Sequence, residues 1–308
     1  MASSIKTFVG ARDPMDCVFD GSAKARLKHL VWRRILNGER ARMLSRSRPA
    51  PGSSRQAADA LRASGIVVGT AGDFLGSEGL AALDATEAVV RGLVAGDEVQ
   101  DILRAGRAQG KNKDYLIHLV DFLQPVAADH PLLRLALDER LLRTVADYLG
   151  MVPQLYSVGA WYNFPVDDEA KASQLWHRDP EDLKTVKAFI YLDDVGPKQG
   201  PFSYIPGTQP FGPDAATRPP HEHRRRILDD EMDRAIPRAL WKACTGPART
   251  MVIADTVGFH RGGNVEEGHR LLVTCTFTSG VPQEKRKLRL VGEPSWTPTT
   301  IQSLALGD

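Results

Sequence analysis

Cysteine is scarce in this chain. Cys17, Cys244 and Cys275 are the only three in 308 residues, widely spaced and without a CxxC pair. So small and odd a set excludes a disulfide scaffold, and a reducing, cytoplasmic setting is expected. Charge of one sign is lacking too. Lys and Arg number 40 against 38 Asp and Glu, a net charge of +2. A dedicated nucleic-acid binder needs a net basic face to neutralise phosphates, so no nucleic-acid partner is expected. No run approaches the roughly 18 consecutive apolar residues that span a bilayer, so no membrane segment is expected. The opening Met-Ala-Ser-Ser-Ile-Lys has no apolar stretch behind it and does not read as a signal peptide. Walker and GxGxxG motifs are missing, and no β/α alternation is present, which argues against a doubly wound nucleotide fold. What is present is 42% hydrophobic and 25% charged residues. That mixture builds a core and is not the signature of a disordered chain.

The chain changes texture at Gly150. Residues 1–21 read as an arm or loop. From about 23 to 44 the pattern is helical, with Leu27, Leu30, Val31, Ile35 and Leu36 expected as the docked apolar stripe. The other face is basic (Lys24, Arg26, Lys28, Arg33, Arg34, Arg40, Arg42) and reads as a solvated surface, with an anionic ligand or carrier as the sharper alternative. A Pro/Gly/Ser loop follows Arg48, then a helix from Ser54 to about Gly65 and a strand at Ile66–Val68. Helices are expected over 78–94, 97–107 and, in two pieces, 131–150. After Gly150, short β-rich runs separated by turns (155–164, 185–192, 202–205, 249–253, 270–278) predict a sandwich or jelly roll. A polar insertion over 211–245 carries His221, His223 and Arg224–Arg226. A helix near 227–243 and a functional lid are expected there. The expected organisation is one domain over 1–308, with a helical frame over 1–150 and a β core over 151–290.

The chemistry concentrates in three places. His177-Arg178-Asp179 closes a strand-like run, Ser173–Trp176, and residues two apart on a strand point to one side, so imidazole and carboxylate can reach one metal. His260 follows a second strand-like run, 251–255, beside Gly258, Gly262 and Gly263. Two histidines and one carboxylate leave coordination positions open, which suits non-haem Fe(II). A catalytic zinc accepts the same donors, so the residue types alone leave the metal open. Arg270, ten residues after His260, supplies a fork that holds a carboxylate through two charge-assisted hydrogen bonds. Beside an iron site it points to a 2-oxo acid cosubstrate.

Four segments, Gln174–Asp182, Lys187–Val195, Gln199–Thr208 and Asp255–Gly263, resemble in order and spacing the phytanoyl-CoA dioxygenase-like (PhyH) branch of the Fe(II)/2-oxoglutarate oxygenases. The resemblance spans about 154–279. It implies a mainly β core with α, a double-stranded β-helix (jelly-roll, cupin-like) flanked by N-terminal helices. It further implies that His177, Asp179 and His260 bind Fe(II), that Arg270 binds the distal carboxylate of 2-oxoglutarate, and that O2 is consumed with release of succinate and CO2. In relatives that halogenate, the carboxylate ligand is absent, so Asp179 argues against halogenation and permits hydroxylation, desaturation or cyclisation. The chain departs from many relatives in placing Gly262, not Ser or Thr, two residues after the distal histidine.

Lesser candidates follow from the same frame. Lys187 shares a strand face with Phe189 and Tyr191, a face that looks inward by the resemblance. It either contacts the cosubstrate or an anionic substrate, or makes a structural salt bridge. Asn163 matches a polar cosubstrate contact of relatives. Trp161, Tyr162, Trp176 and Phe189 flank the site as core or as substrate contacts. His221-Glu-His223 reads as a solvated loop, with substrate contact by the loop as the alternative, His29, His118 and His130 as structural, and Cys275 as core. His269 is expected to point away from Arg270. The expected partner is a small molecule such as a secondary-metabolite intermediate, a modified amino acid or a carrier-linked acyl group, since one fold serves many substrates. The oligomeric state is not readable. The competing reading is a cupin-like metal-binding protein or a zinc or nickel enzyme that never uses O2.

Overall fold

The computed structural model describes residues 22–47, 51–108, 113–121, 123–220, 222 and 225–307. The arm expected over 1–21, Cys17, residues 48–50 of the expected loop, and His221, His223 and Arg224 lie outside the described residues. The basic segment forms α1 (Ala23–Val31), a π-helical turn (Trp32–Leu36) and α2 (Gly38–Arg46). Its docked stripe is only partly the expected one, with Val31 and Leu36 packed against the core. Ala25, Lys28 and Trp32 are buried, whereas Leu27, Leu30 and Ile35 are half or more exposed. Positions 25, 28 and 32 share one helical face, and that face is anchored by the Trp32 indole, whose N–H donates to Asp182 at 3.0 Å. Burying the largest ring turns Leu27 and Leu30 outward.

The rest of the frame is α3 (Gly52–Ser64), β1 (Ile66–Thr70), α4 (Ala71–Phe74), α5 (Ser77–Ala95), α6 (Asp97–Ala105), β2 (Leu116–Val120), β3 (Val126–Ala127), α7 (Pro131–Ala136) and α8 (Glu139–Leu149). Helix α3 stops at Gly65, which is left-handed (φ 78°). A Cβ there would lie 2.2 Å from the Tyr204 hydroxyl, so both backbone and space call for glycine. Leu132, Leu133, Leu135, Leu137, Leu141 and Leu142 on and between α7 and α8 are all buried, as their spacing predicts. The β-rich half supplies β4 (Gln154–Asn163), β5 (Val186–Tyr191), β6 (Phe202–Tyr204), β7 (Lys242–Ala243), β8 (Thr250–Asp255), β9 (His260–Gly262), β10 (Arg270–Thr278) and β11 (Leu290–Val291).

A six-stranded sheet runs β1-β8-β5-β10-β4-β2, antiparallel throughout, and a three-stranded sheet runs β7-β6-β9. One face of the large sheet (Val158, Ala160, Ala188, Ile190, Ile253, Val273) packs with the helical leucines in one cluster. The other face (Phe189, Tyr191, Val252, Leu272) packs with Phe202 and Tyr204 of the small sheet. Helices, large sheet and small sheet are therefore three layers, with the inner faces of the two sheets toward each other.

Two local expectations are corrected. Ser173–Trp176 is not a strand. Residues Ala172–Gln174 form a 3-10 turn closed by the Gln174 side chain on the Lys171 N–H (3.0 Å), and only single bridges follow, Trp176 to Ile227 and His177 to His260. The helix expected near 227–243 is shorter, α9 (Asp229–Ala235). Pro237 holds Ile236 extended and ends it, after which a 3-10 turn and β7 take over. A last helix, α10 (Thr300–Leu306), packs against β4 and α8.

Candidate metal centre

His177 and His260 face each other across their bridge, each N–H donating 3.0 Å to the other's carbonyl. Their ring centroids lie 4.2 Å apart. Each ring is oriented by its Nδ1, His177 against the Leu175 carbonyl at 2.8 Å and His260 against the Gly258 carbonyl at 3.0 Å. A carbonyl only accepts, so Nδ1 carries the proton and Nε2 is left as a lone-pair donor. Both Nε2 atoms point at Asp179, 3.8 Å from Oδ1 for His177 and 3.4 Å from Oδ2 for His260. One ligand atom from each of the three lies within 4.8 Å of the others. Ligands bound at about 2.1 Å and at right to tetrahedral angles are separated by about 3.0–3.5 Å, so small inward adjustments enclose an ion.

The electrostatics suit ligation. Burial, and then His260, lowers His177 well below the ordinary imidazole range, with Asp179 opposing. Burial lowers His260 likewise. Burial alone would raise the Asp179 carboxyl, but Lys187, His260 and His177 outweigh it and hold it well below the usual carboxylate range. Lys187 Nζ sits 2.6 Å from Asp179 Oδ2 and 3.6 Å from Glu181. Arg178, between the two ligands, alternates to the other side. It donates to the carbonyls of Thr208 and Val257 at 2.6 and 2.8 Å and stacks on Phe259, which fixes the loops that carry the centre.

The triad opens into a cavity of about 290 Å³ between the two sheets. Register decides what lines it. Arg270 pairs with Asn163, Leu272 with Trp161 and Tyr191, Thr274 with Phe189, and Thr276 with Lys187. Alternate positions of β4, β5 and β10 thus put Asn163, Trp161, Lys187, Phe189, Arg270, Leu272 and Thr274 on the cavity wall. Arg270 is buried. It donates to the Gly263 carbonyl at 3.4 Å, and its Nε has no hydrogen-bond partner among the described residues. The Thr274 hydroxyl and the Trp161 indole nitrogen are orphaned on the same wall. Buried donors with nothing to donate to are what a bound dicarboxylate would satisfy.

In sequence, the phytanoyl-CoA dioxygenase (PhyH) family matches residues 71–260 of this chain. The chain belongs to that family. It is an Fe(II)/2-oxoglutarate-dependent oxygenase, with iron as cofactor and 2-oxoglutarate as cosubstrate, and the non-oxygenase reading is not favoured. No curated protein matches it. Among solved structures it is similar to EctD from S. alaskensis with 2-oxoglutarate and 5-hydroxyectoine, at 21% identity and a TM-score of 0.50 over 76% of this chain and 78% of that one. It is also similar to the epimerase SnoN in complex with Fe3+, alpha ketoglutarate and nogalamycin RO, at 17% identity and a TM-score of 0.50 over 75% and 86%. At such identities the likeness shows the fold, the jelly roll with its helical frame.

Two of the oxygenase's expected substrate contacts lie elsewhere. Tyr162 pairs with Leu271 and so faces away from the cavity, where it stacks on His269 at 4.8 Å. Trp176 neighbours His177 and alternates to the opposite side. It packs on Trp241 and donates to Asp229 at 2.9 Å. Phe189 and Trp161 stand on the cavity wall. His269 turns from Arg270 toward Asp193, 2.9 Å away, and Cys275 is buried. Gly262 acquires a reason. A Cβ there would sit 3.1 Å from Arg270 Nη2, so the bare backbone gives the guanidinium room. Sequence reasoning missed Thr274 and Lys113, which also line the cavity, as does Arg226 of the basic stretch in the insertion. The period-2 pattern from Arg270 through Leu272 would have found Thr274.

Proposed function

We propose that this chain, as one oxygenase domain over 1–308, hydroxylates an unactivated C–H of a small molecule, with His177, Asp179 and His260 holding the iron. Two imidazoles aimed by carbonyls at a carboxylate, in a cavity that also holds a buried arginine with an unused Nε, carry this reading. Bound Fe(II) supplies the activation of O2 at the expense of 2-oxoglutarate, giving succinate and CO2. The protein's own part is positioning. Arg270 receives the distal carboxylate of the cosubstrate, and Thr274 and Asn163 offer polar contacts in place of the one that Gly262 lacks. Lys187 keeps Asp179 ionised and occupies one of its oxygens, which leaves the other for the metal. Phe189, Phe202 and Leu272 supply an apolar wall that excludes water around the reacting carbon.

The test is succinate formation from 2-oxoglutarate in air by the iron-loaded protein, with the His177→Ala variant as control. Succinate dependent on Fe(II), and lost in the variant, is expected. A folded, iron-loaded protein that forms none, with and without a panel of small acids and alcohols, contradicts the reading.

A further inference from the structure

The cavity holds more positive charge than the iron and its cosubstrate use. Five basic and three acidic side chains line it. Fe(II) brings two positive charges and 2-oxoglutarate two negative ones, so the loaded site keeps the surplus of two. Where that surplus sits follows from the partners. Arg270 faces the cosubstrate end, Lys187 is spent on Asp179 and Glu181, and Lys287 and Glu284, of opposite sign, offset each other in the count. At the mouth stand Lys113, half-buried in the turn before β2, and Arg226, exposed beside Ile227, whose bridge to Trp176 adjoins His177. Neither is paired with a carboxylate among the described residues. Among the described residues Arg226 donates to the neighbouring Arg225 carbonyl. The carboxylate next to Lys113, Asp114, is taken by Lys171 at 2.8 Å and Arg107 at 3.3 Å.

Resting on the oxygenase reading above, we propose that the substrate carries an anionic group, carboxylate or phosphate, that Lys113 and Arg226 bind at the mouth while the C–H to be oxidised reaches inward past Phe189. Two cations that line one cavity, neither salt-bridged to a carboxylate among the described residues, favour an anion that joins them. The charges sense each other. Burial, and then repulsion from Lys187 and Arg226, lowers the Lys113 ammonium below its ordinary value, with Asp179 opposing. The cavity's size adds a constraint. At about 290 Å³ it is at the small end of ligand pockets and must also admit the cosubstrate. The substrate therefore presents a slender apolar end to the centre and its charge to the rim.

Anaerobic protein loaded with Fe(II) and 2-oxoglutarate is titrated by calorimetry with hexanoate, hexyl phosphate and 1-hexanol, in the wild type and in Lys113→Ala/Arg226→Ala. At least one anion should bind about tenfold or more tighter than hexanol, and the double variant should lose that preference. The better anion names the headgroup. Raising salt should weaken the anion and leave hexanol unchanged, a readout on the wild type that does not depend on the variant's folding. Absence of an anion preference in the wild type, by equal affinities or no detectable binding, overturns the proposal, as does a preference that survives in the variant. Loss of 2-oxoglutarate affinity in the variant, with the anion preference intact, reassigns the pair to the cosubstrate and overturns it too. If 2-oxoglutarate fails to bind the wild type, the oxygenase reading itself falls.

Discussion

Replacing Lys187 with methionine separates what holds the apo site together from what holds the iron. Lys187 is buried among acids, 2.6 Å from Asp179 and 3.6 Å from Glu181. Burial alone would lower its ammonium, but the two carboxylates outweigh burial and raise it. Removing one partner of a buried pair costs about 3–5 kcal/mol, because a charge is left uncompensated. The apo Lys187→Met protein should lose about that much stability. The metal-loaded variant should lose about 1 kcal/mol or less, since the ion itself compensates Asp179 and no longer meets a neighbouring cation. A unit pair about 4 Å apart is worth about 4 kcal/mol at an effective dielectric near 20, so that relief is of the same size. By linkage the two losses differ by the change in metal affinity, which should tighten by about 2–4 kcal/mol, or about 30- to 700-fold. Urea unfolding with and without Ni(II), an air-stable stand-in, together with a chelator competition, reads both quantities. Equal losses in the two forms, or weaker metal binding in the variant, would refute the reasoning.

Three further outcomes follow from the same geometry. Arg270→Leu should weaken 2-oxoglutarate binding by about 2–5 kcal/mol, roughly 30-fold or more, with Fe(II) affinity unchanged; an unchanged cosubstrate affinity in an anaerobic titration removes Arg270 from its role. Burial raises the Asp182 carboxyl to about 7, against hydrogen bonds from Ser279, Leu183 and Trp32. The folded state therefore holds this proton more tightly than the unfolded one. Its contribution is full below about pH 4 and lost as pH rises through about 7, so wild type should lose up to about 3 kcal/mol relative to Asp182→Asn between pH 5 and pH 8. A stability gap that does not change with pH in urea unfolding argues against that assignment. Trp32→Phe keeps the ring and removes the indole N–H, and should cost about 1–3 kcal/mol by thermal unfolding. No loss would show that the Asp182 bond does not anchor the basic segment.

The parts of this protein that were legible in its sequence are those governed by local pattern. Strands β4, β5, β8 and β10 announced themselves as β-branched and aromatic runs, and α8 by its leucines and terminal Gly150. The three candidate ligands stood out because residue type and spacing both pointed at one ion. What escaped depends on registers that no local pattern encodes. Strand β2 is a five-residue edge, Leu116–Val120, whose His118 breaks an already short run. For Tyr162 and Trp176 the sequence leaves core and substrate contact open, since only the pairing of Asn163 with Arg270 and the bridge of His177 to His260 fix which neighbour faces the cavity. The basic helix was read by its leucines, yet a single tryptophan with a buried acid to meet decided its orientation. Lys113 and Arg226 lie far apart in sequence and share only the cavity.

The central claim is that His177, Asp179 and His260 hold one iron beside a cosubstrate held by Arg270. Its most direct test is an anaerobic titration of Fe(II)-loaded protein with 2-oxoglutarate, followed by the visible charge-transfer absorption of the iron–2-oxo acid chelate. The account predicts the band in the wild type, saturating at one iron per chain, and no band in His177→Ala/His260→Ala. Absence of the band in the folded wild type, or its persistence in the double variant, would contradict the account.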